Sequence, residues 1–245
     1  MRILCVIPAR YASTRLPGKP LKDIAGRPMI CRVYERASKA KTLSGVIVAT
    51  DDERIKVAVE RNGGKAIMTR PDHPTGTDRL AEAAEKYDDI DIIINVQGDE
   101  PLIEPTLIDE LGEALAGDDA LSMATVMTEI TDEDEQKNPN NVKVITDKNG
   151  CALYFSRSLI PFPRVPGKAK VYKHIGIYAY RRDFLLRFAG LAPTPGEQAE
   201  SLEQLRALEN GFKIKVIETK AKFVGVDTEE DLRKVNEIYK NMQGE

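Results

Sequence analysis

The stretch Ile90-Asp91-Ile92-Ile93-Ile94-Asn95-Val96, followed by Gln97-Gly98-Asp99-Glu100-Pro101, joins a nearly unbroken apolar run to an acidic turn. Such a run reads as a strand buried on both faces, which requires a sheet covered by helices on either side. Shorter apolar runs precede it at residues 3–7, 46–49 and 66–68, and helix-like windows fall at 29–39, 52–62, 77–86 and 106–116. The alternation is βαβαβαβ, and crossover helices imply parallel pairing. The expectation is therefore a Rossmann-like α/β fold with a mostly parallel, doubly wound sheet.

Beyond about residue 121 the rhythm changes. "LSMATVM", "NVKVITD", "CALYFSR" and "VYKHIGIYAY" are short β-rich pieces separated by turn signals, and they predict an antiparallel extension. A helical "ESLEQLRALENG" should end at Gly211, a strand "KIKVIET" should follow, and Thr228 should cap a last helix over 228–240. No linker divides the chain. We expect one domain over 1–245, with 1–130 and 190–245 forming the main α/β part and roughly 131–189 a smaller β-rich part.

The net charge of −3 lacks the basic footprint that nucleic-acid backbones demand. Cys5, Cys31 and Cys151 are widely spaced and set among apolar residues, so neither a disulfide framework nor a metal-binding pair is expected. The first apolar run is too short for a secretory signal, and no run reaches membrane-spanning length. These features predict a cytoplasmic protein without a membrane partner.

In open α/β sheets ligands bind beyond the carboxyl ends of the strands. The first strand is followed by "PARYASTRLPGKPL", which carries Arg10, Arg15 and Lys19 among prolines. Cations at a strand end suit nucleotide phosphates, with Arg gripping oxygens bidentately and Lys acting as a compact charge. Glycine-rich dinucleotide and P-loop fingerprints are absent from this loop. Asp99, past the central strand, and Asp227, after "KFVGV", could each reach a metal ion or cap a following helix. With a triphosphate substrate the metal would be magnesium, which takes one or two protein carboxylates.

Seven ordered segments, "IPARYASTRLPGKPL", "HPTGTDR", "NVQGDEP", "YFSRSLIP", "HIGIYAY", "LEQLR" and "VGVDTEEDL", together resemble the CMP-KDO synthetase family, the 3-deoxy-manno-octulosonate cytidylyltransferases. The resemblance implies a fold of the nucleotide-diphospho-sugar transferase type with a β-rich dimerisation part, placed here at about 142–180. It also implies transfer of CMP from CTP to KDO for lipopolysaccharide biosynthesis, with Mg2+ as cofactor and a homodimer as the assembly. Arg10, Arg15 and Lys19 would handle the phosphates, with the backbone of Pro8, Ala9 and Arg10 near the base. Thr75, Gly76 and Arg79 would add base and substrate contacts. Asp99 and Asp227 match the metal ligands, and with Arg10 and Lys19 they form the expected catalytic set. Gln97, Arg157, His174, Tyr178, Glu203 and Gln204 match the sugar-binding positions, while His73 is assigned nothing. A cytidylyltransferase for sialic acid or an 8-amino KDO analogue is the nearest alternative, and a non-catalytic nucleotide-binding protein is the more distant one.

Overall fold

The computed structural model describes residues 1–12, 15–165, 167–221 and 223–243; Ser13 and Thr14 of the cationic loop lie outside them. In chain order the strands are β1 (Ile3–Ala9), β2 (Asp23–Ile24), β3 (Arg27–Pro28), β4 (Gly45–Thr50), β5 (Ala66–Met68), β6 (Ile92–Asn95), β7 (Met123–Ile130), β8 (Lys143–Thr146), β9 (Ala152–Ser156), β10 (Val171–Arg181) and β11 (Ile214–Glu218). The helices are α1 (Met29–Ala37), α2 (Glu53–Arg61), α3 (Gly76–Glu85), α4 (Pro105–Ala116), α5 (Glu133–Lys137), α6 (Arg182–Ala189), α7 (Pro195–Glu200), α8 (Gln204–Glu209) and α9 (Glu229–Gln243). None is long and apolar enough to cross a membrane among the described residues.

The main sheet has the order β11-β7-β10-β6-β1-β4-β5. Pairing is parallel for β1 with β4 and β6, for β4 with β5, and for β11 with β7, whereas β10 runs antiparallel to both its neighbours. Strand alternation sorts the core into two layers. Ile3, Cys5 and Ile7 face a layer with Ile30, Val33, Ile55 and Leu111, and Leu4 and Val6 face another with Leu80, Phe184, Phe188 and Leu205. Helices cover both faces, as the apolar character of β6 requires.

The expected boundary of the β-rich part is corrected. Strand β10 lies in the middle of the main sheet, between β7 and β6, and α6 packs on α3. What lies off the main strand order is the β8–β9 hairpin, joined to the sheet through β10. The register of β10 against β7 shifts between Ile175 and Tyr178, and a bulge of this kind lets one strand serve both the hairpin and the core.

The single helix expected over "ESLEQLRALENG" is two. Ser201 takes a left-handed conformation, φ 51°, and ends α7; α8 begins at Gln204. After the break Glu203 meets Thr77 in the first turn of α3 and Gln204 is buried. A third, small core of Leu16, Ile24, Met29, Leu102, Val226, Val235 and Tyr239 seats α9 beneath the cationic loop.

Candidate functional site

The cationic loop is anchored from below. Leu16 is 1% exposed, Gly18 adopts φ 66° with the Tyr11 ring against it, and a tight helical turn starts at Lys19. These constraints aim the cations at the carboxyl ends of β1 and β6. Lys19 Nζ donates to Asp99 Oδ2 at 2.6 Å and to Asp227 Oδ1 at 3.0 Å, and Arg15 Nη2 lies 3.1 Å from the same Asp227 oxygen. Burial works against the Lys19 charge, but Asp99 and then Asp227 outweigh it and hold its pKa above the ordinary value.

Neither carboxylate caps a helix. Glu104 is the N-cap of α4, and Thr228 with Asp231 forms the reciprocal cap of α9. The backbone bond from Val226 N to Asp99 O, 2.9 Å, ties the two acidic segments together. Gly98 is required by close approach, since a Cβ there would sit 2.8 Å from Pro8 O. Arg10 reaches sideways, its Nη2 donating to the carbonyls of His73 (2.6 Å) and Thr75 (3.2 Å). Pro8, Ala9, Arg10, Arg15, Lys19, Gln97, Asp99 and Asp227 line one cleft of about 330 Å³. Glu100, behind it, is pushed up to about 7, first by burial and then by the Asp99 charge.

A second group gathers about Tyr178. The rings of Phe155, His174, Tyr178 and Tyr180 follow one another at centroid spacings of 5.0, 5.4 and 5.7 Å. His174 Nε2 lies 3.0 Å from Thr125 Oγ1, and burial lowers its pKa to about 3. Glu203 Oε2 accepts from Thr77 Oγ1 in the first turn of α3, and burial raises its carboxyl against that bond. Gln204 is buried at the start of α8, and Gln97 Nε2 donates to Gly176 O at 3.3 Å. Arg157 is held by carbonyls, Nε to Glu200 O at 2.6 Å and Nη1 to Pro139 O at 3.1 Å.

Two cations thus face two carboxylates at the carboxyl ends of parallel strands β1 and β6, with the aromatic and polar group about Tyr178 across β6. A cytidylyltransferase family model matches residues 4–216. The chain belongs to the cytidylyltransferase family. It is 54% identical to the 3-deoxy-manno-octulosonate cytidylyltransferase of Geobacter metallireducens, over 99% of this chain and all of that protein. With its counterpart from Fusobacterium nucleatum the identity is 54%, over 98% of each chain. A solved structure of CMP:2-keto-3-deoxy-manno-octonic acid synthetase complexed with CTP superposes with a TM-score of 0.95 at 49% identity, over 99% of this chain and 100% of that one. A 4-diphosphocytidyl-2C-methyl-D-erythritol synthase from Anaerococcus prevotii, at 16% identity and a TM-score of 0.65 over 98% and 96% of the two chains, shares the fold.

Within this cytidylyltransferase two expected contacts need correction. Arg79 is fully buried, with Nη1 on Thr69 Oγ1, Nη2 on Asp51 Oδ2 and Nε without a hydrogen-bond partner; its two terminal nitrogens brace α3 against the segments that follow β4 and β5. The Thr75 hydroxyl is engaged with Asp78 in the capping box of α3, so the group it presents toward Arg10 is its carbonyl. Gly76 opens α3 beside it.

The structure adds residues that the sequence reading passed over. His73 pairs through Nε2 with Glu82 and lends its carbonyl to Arg10. Glu200 accepts from the Arg157 backbone and from Ser156, and Lys143 binds three carbonyls around Arg157.

The neutral His174 has a consequence for pH. Its pKa falls from 6.5 to about 3 on folding, so below pH 6.5 the unfolded chain takes up a proton that the folded chain refuses. Stability should decline as the pH drops, by about 1.4 kcal/mol per unit from this group once the pH is well below 6.5. Urea unfolding between pH 7 and 5 should show a steeper loss for wild type than for His174→Gln; equal slopes would contradict a buried neutral imidazole.

Proposed function

We propose that this cytidylyltransferase transfers CMP from CTP to 3-deoxy-D-manno-octulosonate, giving CMP-KDO and diphosphate. The observation that carries the reading is the convergence of Lys19, Arg15, Asp99 and Asp227 at the ends of β1 and β6. The full-length identity to proteins named for this reaction supports the choice of sugar.

In the reaction the anomeric hydroxyl oxygen forms a bond to the α-phosphorus as the bond to the diphosphate oxygen breaks. Diphosphate leaves with the electron pair, and the hydroxyl proton passes to solvent. Arg10, Arg15 and Lys19 set their charges where negative charge accumulates on the leaving group, and such fixed charges act without reorganising. The backbone of Pro8, Ala9 and Arg10 offers the nearest polar edge to a cytosine seated in the cleft. Arg157 suits the sugar carboxylate, and Gln97, His174, Tyr178, Glu203 and Gln204 suit its hydroxyls. Because His174 is neutral, it engages the sugar as a hydrogen-bond partner rather than as a charge.

Asp99 and Asp227 fit a magnesium site. Their hard oxygens already converge on one cation, Lys19 Nζ, and magnesium typically takes one or two carboxylates and fills its shell with phosphate and water. When bound, the ion supplies positive charge to the phosphates and lowers the pKa of the attacking hydroxyl.

The reading extends to a cytoplasmic enzyme that feeds lipopolysaccharide assembly, and to a homodimer formed through the β-rich part. Phe162 and Val165 are exposed there, Phe162 at 83%, and line one concavity with Pro161 and Pro163; apolar groups gathered on one surface are a common mark of an interface. Sedimentation velocity should give a dimer that Phe162→Glu weakens; a wild-type monomer at micromolar concentration would remove this part. Loss of KDO from lipopolysaccharide on depleting the protein in its source cell would test the pathway.

The main test is CTP-dependent diphosphate release over KDO, 8-amino-KDO and sialic acid. Turnover should be fastest with KDO. A clear preference for another acid sugar would reassign the substrate, and CTP binding without diphosphate release would make the protein a non-catalytic nucleotide binder.

A further inference from the structure

Asn95 closes an apolar strand with an amide oxygen that nothing around it uses. It is 4% exposed, and its Oδ1 is buried without a hydrogen-bond partner. It is the last residue of β6 and stands in register with Tyr178 of β10. Residues paired across antiparallel strands project from the same face, so Asn95 and Tyr178 are side-by-side neighbours at the mouth of the sheet. Two residues earlier on that face, Ile93 packs in the layer that holds Tyr180 and Phe184.

A second acceptor in the same region is also unused. Glu203 Oε1 is buried without a donor, Arg206 Nη2 being 3.7 Å away, while Oε2 is occupied by Thr77. Glu203 lies near enough to Tyr178 for its charge to reinforce the effect of burial in raising the phenol pKa.

Buried acceptors without donors destabilise a fold, and Leu or Ile in the same strand position would avoid that cost. Two of them stand near one tyrosine at the carboxyl end of β6, the end of an open α/β sheet where ligands bind, and both lack donors. A polyhydroxylated sugar brings several hydroxyl donors at short spacing.

Building on the proposed function, we infer that Asn95 is a further sugar-binding residue: its amide and Glu203 Oε1 accept hydrogen bonds from hydroxyls of the acceptor sugar around Tyr178. A site built to hydrogen-bond a hydroxyl discriminates strongly against an analogue that lacks it. Asn95 therefore sets specificity and takes no part in nucleotide binding.

The test uses Asn95→Leu, close to isosteric and apolar, with Asn95→Ser as a second variant if the first does not fold. Wild type is assayed first; if it turns over none of the acid sugars, the parent reading fails, and the Asn95 assignment fails with it. With wild-type turnover established, the expected result is a rise of about tenfold or more in KM for KDO. KM for CTP should stay within about twofold and the thermal midpoint should be equal or higher. Among KDO analogues each lacking one hydroxyl, one should lose far less on the variant than on wild type. An unchanged KM for KDO would overturn the inference and leave the amide to a trapped water. Parallel losses for CTP and KDO with a lower thermal midpoint would overturn it in favour of a structural role.

Discussion

Asp99→Asn is expected to lower kcat by about 10²–10³-fold and to raise the magnesium concentration needed for half-maximal turnover, with little change in CTP binding. Asparagine keeps the shape of the residue and an oxygen that can still accept from Lys19 Nζ, now 2.6 Å from Asp99 Oδ2. The backbone bond between Val226 N and Asp99 O does not depend on the side chain. What is lost is one negative charge facing the cleft, so the loss should fall on chemistry and metal affinity while the fold stays intact. The phosphate contacts assigned to Arg10, Arg15 and Lys19 remain. Asp227→Asn should act in the same direction, and the double variant should fall well short of the product of the two effects, because residues that serve one function are not additive. Lys19→Met supplies the contrasting case. It also slows turnover, but it removes a cation that competes for the two carboxylates, so its magnesium requirement should not rise. Near-wild-type turnover by Asp99→Asn would remove the metal assignment, and equal magnesium dependence in all the variants would reduce Asp99 to an ion-pair partner of Lys19.

The main-sheet strands and the helices of the first 116 residues are legible because each is a local pattern: "IDIIINV" is apolar at nearly every position, and β6 is buried on both faces; the two-residue strands β2 and β3 carry no such pattern. The place of β10 in the sheet is not local. Its alternating "VYKHIGIYAY" fits the edge of an extension as well as it fits a central strand, and only pairing with β6 and β7 decides. Similarly, "ESLEQLRALENG" carries helical periodicity throughout, while the left-handed Ser201 answers to tertiary bonds, with Glu200 drawn to Arg157 and Ser156. In the site, Lys19 and Asp99 lie in the segments that follow β1 and β6 and could be found by that rule alone, whereas Asp227 follows an apolar stretch, Phe223–Val226, that forms no strand. Arg79 defeats it, because an arginine in a turn-rich motif reads as exposed, and its burial depends on Asp51 and Thr69 arriving from other elements. Asn95 left a signal that went unread, an amide within an otherwise apolar run.

Lys143 left no such signal, and its replacement should have the largest effect on stability. A lysine between Val142 and Val144 in a short strand reads as an outward residue, yet it is 0% exposed. Its Nζ donates to Asn138 O at 2.9 Å, Asn141 O at 2.6 Å and Arg157 O at 2.6 Å. The three donors of an ammonium are thereby matched to three carbonyls, which is how a buried cation without a carboxylate partner can be tolerated. Burial lowers its pKa. These bonds join the 138–141 turn to the end of β9, and Arg157 completes the join through its own bonds to Pro139 O and Glu200 O. Lys143→Met keeps the length of the stem and removes all three donors, stranding carbonyls that the fold partly hides from water. The expected loss is about 2–4 kcal/mol of unfolding free energy, read as a lower urea midpoint with an unchanged slope. Lys143→Arg should not rescue it, because a planar guanidinium does not match three carbonyls converging on one point. With one of the bonds that hold Arg157 lost, KM for the acid sugar should rise while KM for CTP, proposed to bind at the ends of β1 and β6, stays the same. A loss below about 1 kcal/mol would mean that the loop re-forms around the missing cation, and equal effects on both substrates would detach Lys143 from the sugar side.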